Sequence, residues 1–316
     1  MALRTVLVGG AGFIGSLLSQ ELVKSGVQVS CVDFRGLRER CCNEFADELA
    51  CGLYRFVDAS DEKEIDFQLQ GADALVLLAA KRLNKQFTSA TAVENLSLAE
   101  SYFYRAKQAG LRNIVFLSSI GVYGCQGGYP WREEMAGKVE NLYALSKWQT
   151  ELLADYYNRR ENMAIKSLRP AQVLGLGERP GFVLNTFIEQ AWRGEQLHIY
   201  GTGSGRRQYI YIYDLVRAIV LALEHPECKG AYNIACAGSL SIVELAEKIQ
   251  AAFGRSLPLV YEPYPTEDLG HYEMEVSKAK EDLDFIAEFT VPEALADIHR
   301  ELKSRTDREN GILEKK

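Results

Sequence analysis

The chain has 316 residues, of which 47% are hydrophobic and 25% charged, with a formal net charge of -7 and a pI near 5.4. That balance describes a globular protein of ~2 domains or one large α/β unit, and it excludes an overall basic footprint for nucleic acid. No apolar run approaches the ~20 residues of a membrane span and no signal-like leader precedes the first strand, so a cytoplasmic protein that handles small molecules is expected.

Thr5-Val6-Leu7-Val8 is a short apolar run of the kind buried on both faces of a parallel sheet, and Gly9-Gly10-Ala11-Gly12-Phe13-Ile14-Gly15 follows it directly. Glycines in that pattern allow a tight turn and let the backbone approach a pyrophosphate, whose charge then sits on the N–H groups opening a helix from Phe13 to Ser25. Gly26 ends the helix, Val27 to Val32 is the second strand, and Asp33 closes it. An acid there takes a ribose hydroxyl and repels a 2'-phosphate, which favours NAD over NADP, although Arg35 is placed to hold such a phosphate. Leu37 to Leu49 is helix-compatible. Leu53 to Val57 is a third strand ending at Asp58, which either meets the adenine amine or caps the helix near Asp61 to Gln70.

Ala74 to Ala80 reads as a central parallel strand whose end, Ala79 included, belongs at the cofactor crevice. Asn95 to Ala109 has helical spacing and stops at Gly110. Ile114 to Leu117 is the next strand, with Ser118 and Ser119 at its carboxyl end, and the loop Gly121 to Ala136 is expected over the site. Tyr143 opens a helix to about Arg160, placing Tyr143 and Lys147 on one face. Ala164 to Arg169 is a sixth strand before Pro170.

Beyond it a helix runs from Phe182 to Gly194, and Leu197 to Tyr200 leads into a flexible basic loop from Gly201 to Arg207 suited to phosphate. Tyr209 to Tyr213 reads as a strand, with Asp214 as N-cap of a helix to Leu223. Residues 232 to 235 are a strand, Ser241 caps a helix through Phe253, and Lys278 to Leu283 is helical. The charged tail after about Lys303 is expected to be loosely ordered. The seven cysteines are scattered and odd in number, which predicts reduced thiols; Cys41, Cys42 and Cys51 cluster without a C-x-x-C pair, so no metal site is expected.

Ser119, Tyr143 and Lys147 carry the chemistry. A tyrosine ionises near ~10, and a lysine one helical turn away supplies the charge that makes a phenolate accessible. Tyr143 could then take a proton from a substrate hydroxyl as hydride leaves the carbon, with Ser119 holding the same oxygen.

The runs Gly9 to Gly15, Ser118-Ser119-Ile120-Gly121-Val122-Tyr123-Gly124, Tyr143-Ala144-Leu145-Ser146-Lys147 and Leu168-Arg169-Pro170 resemble the extended short-chain dehydrogenase/reductases, specifically the nucleotide-sugar epimerase/dehydratase group. The resemblance covers residues 3 to about 300. It implies a Rossmann doubly wound parallel sheet with helices on both faces (1–169, with a returning segment at about 206–235), and a smaller substrate-binding α/β domain (170–205 and 236–302) before the tail at 303–316. It further implies NAD held by Gly9, Gly12, Phe13, Ile14, Gly15, Asp33, Asp58, Ala79, Lys147 and Pro170, and a homodimer paired through the helices of Tyr102 and Trp148.

Nucleotide-sugar 4,6-dehydratases of this group carry an Asp-Glu pair after the catalytic Ser or Thr, and decarboxylating relatives carry the Glu. Ile120 and Gly121 stand there in this chain. That leaves 4-epimerisation of a nucleotide-diphosphate sugar, a UDP-hexose first, or net reduction of a keto-sugar by the same three residues. A non-catalytic cofactor-sensing protein is a further alternative on the same fold. Asn185 and Arg207 resemble the diphosphate-contacting residues of the family, Asp268 the acid of its Arg-Pro-Gly-Asp segment, and Tyr272 the position that gates N-acetyl sugars, where bulk favours unsubstituted hexoses. The chain departs from the pattern at Pro265, Gln208 and Tyr213.

Overall fold

The structure is a computed structural model that describes residues 3–84, 86–125, 127–177 and 182–313. The chain runs β1 (Arg4–Val8), α1 (Phe13–Lys24), β2 (Gln28–Asp33), α2 (Arg38–Glu44), α3 (Ala46–Ala50), β3 (Tyr54–Asp58), α4 (Glu62–Leu69), β4 (Ala74–Leu77), α5 (Ser89–Gln108), β5 (Asn113–Leu117), α6 (Leu142–Arg160) and β6 (Ala164–Pro170). It continues through β7 (Gln172–Leu174), α7 (Val183–Arg193), β8 (His198–Tyr200), β9 (Arg206–Tyr211), α8 (Ile212–Glu224), β10 (Gly230–Ile234), β11 (Ser239–Ser241), α9 (Ile242–Ala252), β12 (Val260–Glu262), α10 (Ser277–Leu283) and α11 (Val291–Leu313).

Seven parallel strands form one sheet in the order β10-β6-β5-β4-β1-β2-β3. Side chains alternate across it. Leu7, Val76, Val115 and Leu168 enter one core layer with residues of α1 and α8, while Val6, Val8, Leu75, Leu77, Ile114 and Phe116 enter the other with residues of α4, α5 and α6. This is the Rossmann-like α/β arrangement expected. Strand order reverses between β1 and β4, and the crevice at their carboxyl ends is where such sheets bind ligands.

Local chemistry sets the helix ends. Thr88 and Thr91 form a reciprocal cap on α5, Asn141 caps α6 through Ala144, Ser241 and Glu244 box the start of α9, and Gly26 takes φ +77° to close α1. Asp61, not Asp58, caps α4. The helix-compatible stretch after Asp33 is broken at Phe45 into α2 and α3.

A smaller assembly holds a three-stranded sheet, β11-β9-β7, and the pair β12-β8. Its own core is built from Leu184, Phe187, Leu245, Ile249, Leu295 and Ile298, among others. Three expectations are corrected here. The strand from Tyr209 ends at Tyr211, so Tyr213 lies in α8 and Asp214 does not cap it; the Asp214 carboxylate instead accepts from the N–H groups of Glu288 (2.9 Å) and Phe289 (3.0 Å). β9 pairs within the small sheet, so the chain returns to the large one with α8 and β10 rather than at 206. Residues 303–313, expected as a loose tail, continue α11 as helix. Among the described residues, no helix is long and apolar enough to cross a membrane.

Candidate active site

The glycine turn from Gly9 to Gly12 leads into α1 at the carboxyl edge of β1. Gly9 has φ +86°, and a Cβ there would lie 2.8 Å from the Ala79 nitrogen, so Ala79 walls the turn. A Cβ on Gly15 would lie 2.2 Å from the Gly9 oxygen and 2.6 Å from the Gly10 Cα. Only a hydrogen fits. The first turn of α1 has no side-chain cap and no acid, so the N–H groups of Phe13 and Ile14 face outward at a positive helix end. That is a cradle for a pyrophosphate, and it is the observation by which these residues fit a dinucleotide. Asp33 sits at the end of β2, where its carboxylate accepts from the N–H groups of Ala11 (3.0 Å) and Phe34 (2.8 Å), and a carboxylate at this strand end fits a ribose hydroxyl better than a 2'-phosphate. Asp58, its register partner on β3, accepts from the Ser60 N–H and hydroxyl; these bonds, with the charges of Arg35 and Arg38, hold its carboxyl below the usual range. Gly15→Ala is expected to weaken NAD binding by at least about tenfold, measured by calorimetry, because relief requires the backbone of the turn to move. Unchanged affinity would show that the turn does not hold the cofactor.

Ser119 follows β5 and opens a short 3-10 helix, Ile120–Tyr123, accepting from the Gly121 N–H at 3.1 Å. Gly121 is wedged between that hydroxyl and Ala144, so the serine and the start of α6 are brought together. Tyr143 and Lys147 lie one turn apart on α6, with the Lys147 ammonium 5.8 Å from the Tyr143 ring centroid and 4.7 Å from that of Phe116. Phe87 meets the Tyr143 ring edge-on at 6.1 Å. Lys147 is 3% exposed and donates to the Leu117 carbonyl at 2.6 Å. Burial pulls it down to about 7, against the pull of the Glu151 carboxylate and with a further push from the Arg82 charge. Pro170 ends β6 in register with Ile234.

Asn185 is half-buried in the first turn of α7. Arg207, Asp268 and Tyr272 form one cluster. The Arg207 guanidinium donates to Asp268 Oδ2 (2.6 Å) and the Gly270 carbonyl (2.8 Å) and lies 4.3 Å from the Tyr272 ring centroid; the Tyr272 hydroxyl donates to Asp268 at 3.0 Å. Tyr272 also meets Trp131 edge-on, and Trp131 stacks on Tyr123, so the 3-10 segment after Ser119 leads physically to this cluster. The basic glycine loop before it is not open to phosphate as expected. Glu267 already accepts from the N–H groups of Thr202 (2.6 Å) and Gly203 (2.7 Å), and Arg206 and Arg207 belong to β9.

One set of residues escaped the sequence reading. The Ser118 hydroxyl donates to Glu151, Glu151 and Arg169 pair at 2.5 Å with side chains 4% and 2% exposed, and Arg169 donates to the Tyr123 hydroxyl (2.7 Å) and the Glu133 carbonyl (2.8 Å). The available signal was Glu151 four residues after Lys147, on the same buried face. Gln208, which departs from the family pattern, is buried and serves the backbone of Cys236 and Met274. Within the loop expected over the site, Trp131 is fully buried.

A doubly wound parallel sheet with a glycine cradle and a Ser-Tyr-Lys constellation defines a dinucleotide-dependent protein of the extended short-chain dehydrogenase/reductase class. The sequence profile of the NAD dependent epimerase/dehydratase family matches residues 5–235, and the chain belongs to that family of NAD-dependent, nucleotide-sugar enzymes, which spans epimerases, dehydratases, decarboxylases and reductases. It is 31% identical over 274 residues to dTDP-4-dehydro-6-deoxy-D-allose reductase of Streptomyces bikiniensis, covering 80% of this chain and 82% of that protein. Its fold is similar to that of UDP-N-acetylglucosamine 4-epimerase from Bacillus cereus (27% identity, TM-score 0.83, 96% of this chain and 97% of the other). It is similar too to UDP-glucose 4-epimerase from Thermotoga maritima (25% identity, TM-score 0.78, 96% and 99%).

Proposed function

We propose that the protein is a nucleotide-sugar 4-epimerase acting on a UDP-hexose, with Ser119, Tyr143 and Lys147 as its catalytic residues. The observation that carries this reading is the union of those three side chains at the carboxyl edge of β5 with Ile120 and Gly121 where eliminating relatives need an acid and a base. Bound NAD supplies the acceptor and later the donor of a hydride. Tyr143 takes the C4 hydroxyl proton and returns it. Ser119 holds the same oxygen by a hydrogen bond. Lys147, beside the phenol ring, stabilises its anion, and the carboxylate of Glu151 helps keep the lysine charged. Arg207 and Asn185 hold the diphosphate, with Asp268 orienting Arg207 and Tyr272 limiting the size of the sugar substituent.

The similarity to a keto-sugar reductase supports a second reading, net reduction by the same residues. One experiment separates them. The purified protein is incubated with UDP-glucose, UDP-galactose and their N-acetyl forms, with and without NAD, and the products are resolved by chromatography. Interconversion at C4 without net change in NADH is the expected result. Consumption of NAD(P)H with a keto-sugar, and no interconversion, would replace the epimerase by the reductase.

We also propose a homodimer through α5 and α6, and a division into a Rossmann domain and a smaller substrate domain along the two sheet systems. The helices pack side by side, with Tyr102 buried and Trp148 turned against Gly137. Their outer face presents Val93, Tyr104, Leu152 and Tyr156, each at least half exposed, around a groove that also takes in Leu96 and Leu153. Leu152→Asp combined with Tyr156→Asp is expected to yield a monomer by light scattering. A variant that keeps the wild-type mass would move the interface elsewhere.

A further inference from the structure

One side chain in the loop after Ser119 reaches well beyond its own segment. Trp131 is 0% exposed. Its indole stacks on Tyr123 at 5.1 Å, with the ring planes 22° apart, and meets the Tyr272 ring at 5.5 Å and 84°. Tyr123 closes the short 3-10 helix that Ser119 opens, so one indole stands between the segment of the catalytic serine and the ring that limits the sugar substituent.

We propose that Trp131 is a positioning residue for sugar specificity, holding the Tyr272 phenol against the sugar pocket so that an N-acetyl group is excluded. This rests on the nucleotide-sugar reading above and extends it to a residue that touches no substrate. The backbones on both sides are fixed independently of the rings. The Trp131 N–H donates to the Glu273 carbonyl at 2.8 Å, and the Trp131 carbonyl accepts from the Glu275 N–H at 2.9 Å and from Asn233 Nδ2 at 3.0 Å. The Arg206 N–H donates to the Gly270 carbonyl at 3.0 Å and the Tyr272 N–H to the Arg206 carbonyl at 3.1 Å. Tyr272 can therefore move only as a side chain.

The contacts of its ring fall into two groups. Arg207 lies 4.3 Å from the ring centroid, Asp268 accepts from the hydroxyl at 3.0 Å, and a Cβ added at Gly270 would lie 2.6 Å from Cε2. These three come from β9 and from the segment paired with it, so they travel with the phenol. Trp131 meets the ring from the side of Ser119 and so sets the gap between the phenol and the catalytic serine. Interiors are close-packed, and cutting the indole back leaves a void with the phenol as one wall. The phenol can withdraw into it at small cost. Asp268 Oδ2 keeps the Arg207 guanidinium at 2.6 Å, and the one hydrogen bond given up belongs to a half-buried hydroxyl. The space the ring vacates is then open to an acetamido group.

The test compares the whole NAD-loaded protein with Trp131→Leu, Trp131→Phe, Tyr272→Ala and the double variant Trp131→Leu/Tyr272→Ala, measuring kcat and KM for UDP-glucose and UDP-N-acetylglucosamine. Trp131→Leu should raise the ratio of kcat/KM for the N-acetyl sugar over UDP-glucose by at least about tenfold, chiefly through the KM of the N-acetyl sugar. Trp131→Phe should raise it less. In the Tyr272→Ala background the further change Trp131→Leu should leave the ratio where it was. A purely structural loss lowers turnover of both sugars together and does not move the ratio. An unmoved ratio in both Trp131 variants would overturn the proposal, as would a shift of equal size with and without the Tyr272 ring. Trp131→Phe keeps a ring against Tyr123 and carries the test where Trp131→Leu folds poorly. A wild type that turns over neither sugar ends the epimerase reading alone, because the same ratio is then read from the affinities of the two sugars by calorimetry. A wild type that binds neither sugar overturns both readings.

Discussion

Tyr143→Phe lowers turnover of the nucleotide sugar by about 10²–10⁴-fold while leaving NAD binding close to wild type, because it removes one proton-transferring oxygen and nothing that shapes the glycine cradle. The expected signature is a fall in kcat with little change in KM. A variant that retained most of its kcat would exclude Tyr143 as the base. Lys147 has a separate readout in the cofactor-free protein. Its ordinary value of 10.5 is lowered by burial to about 7, so between these two pH values the unfolded chain binds a proton that the folded chain refuses. Stability should therefore fall as the pH drops from about 10.5 to about 7. Lys147→Met should flatten that slope in urea titrations, and an unchanged slope would show that the lysine is not desolvated.

Arg169→Ala is the substitution expected to harm the fold most, by about 3–5 kcal/mol in chemical denaturation. It leaves the Glu151 carboxylate with the Ser118 hydroxyl as its remaining side-chain hydrogen-bond donor among the described residues, and it takes one donor each from the Tyr123 hydroxyl and the Glu133 carbonyl. Glu151→Gln should cost less, since an amide still accepts from Arg169. A loss below about 1 kcal/mol for Arg169→Ala would mean that water replaces the guanidinium. The effect should also reach the active site, because Glu151 sits one helical turn past Lys147 and Ser118 adjoins Ser119.

The sheet was legible because its information is local. β1, β4 and β5 are apolar runs of strand length, α1 starts and stops on glycines, and Tyr143 and Lys147 declare their shared face by spacing alone. The Tyr209 to Tyr213 run misled at its end because alternating aromatic and aliphatic residues suit a strand through Tyr211 and a buried helix start beyond it. The terminal helix was hidden by charge. Val291, Ala294, Leu295 and Ile298 carry its apolar stripe into the small core, and the polar residues after them continue a helix whose stability comes from that packing. Glu267 reaching Thr202 and Arg169 reaching Glu151 depend on how distant segments meet, which no spacing in the sequence records. The gathering of Arg207, Asp268 and Tyr272 into one cluster is equally non-local; the resemblance to a family named its members, and the fold supplied the contacts.

The carboxylate of Asp214 has a consequence for the order of events during synthesis. It is 1% exposed at the start of α8, and its two backbone donors lie more than seventy residues downstream, at Glu288 and Phe289. A nascent chain can assemble β1 through β6 early, but until residues 288 and 289 emerge the buried Asp214 carboxylate has only the 3.4 Å contact with Arg217 of its own helix, among the described residues, in place of its two backbone donors. Completion of the fold therefore waits on synthesis of Glu288 and Phe289, and a chain truncated before Glu288 should persist as an unfinished, chaperone-dependent species.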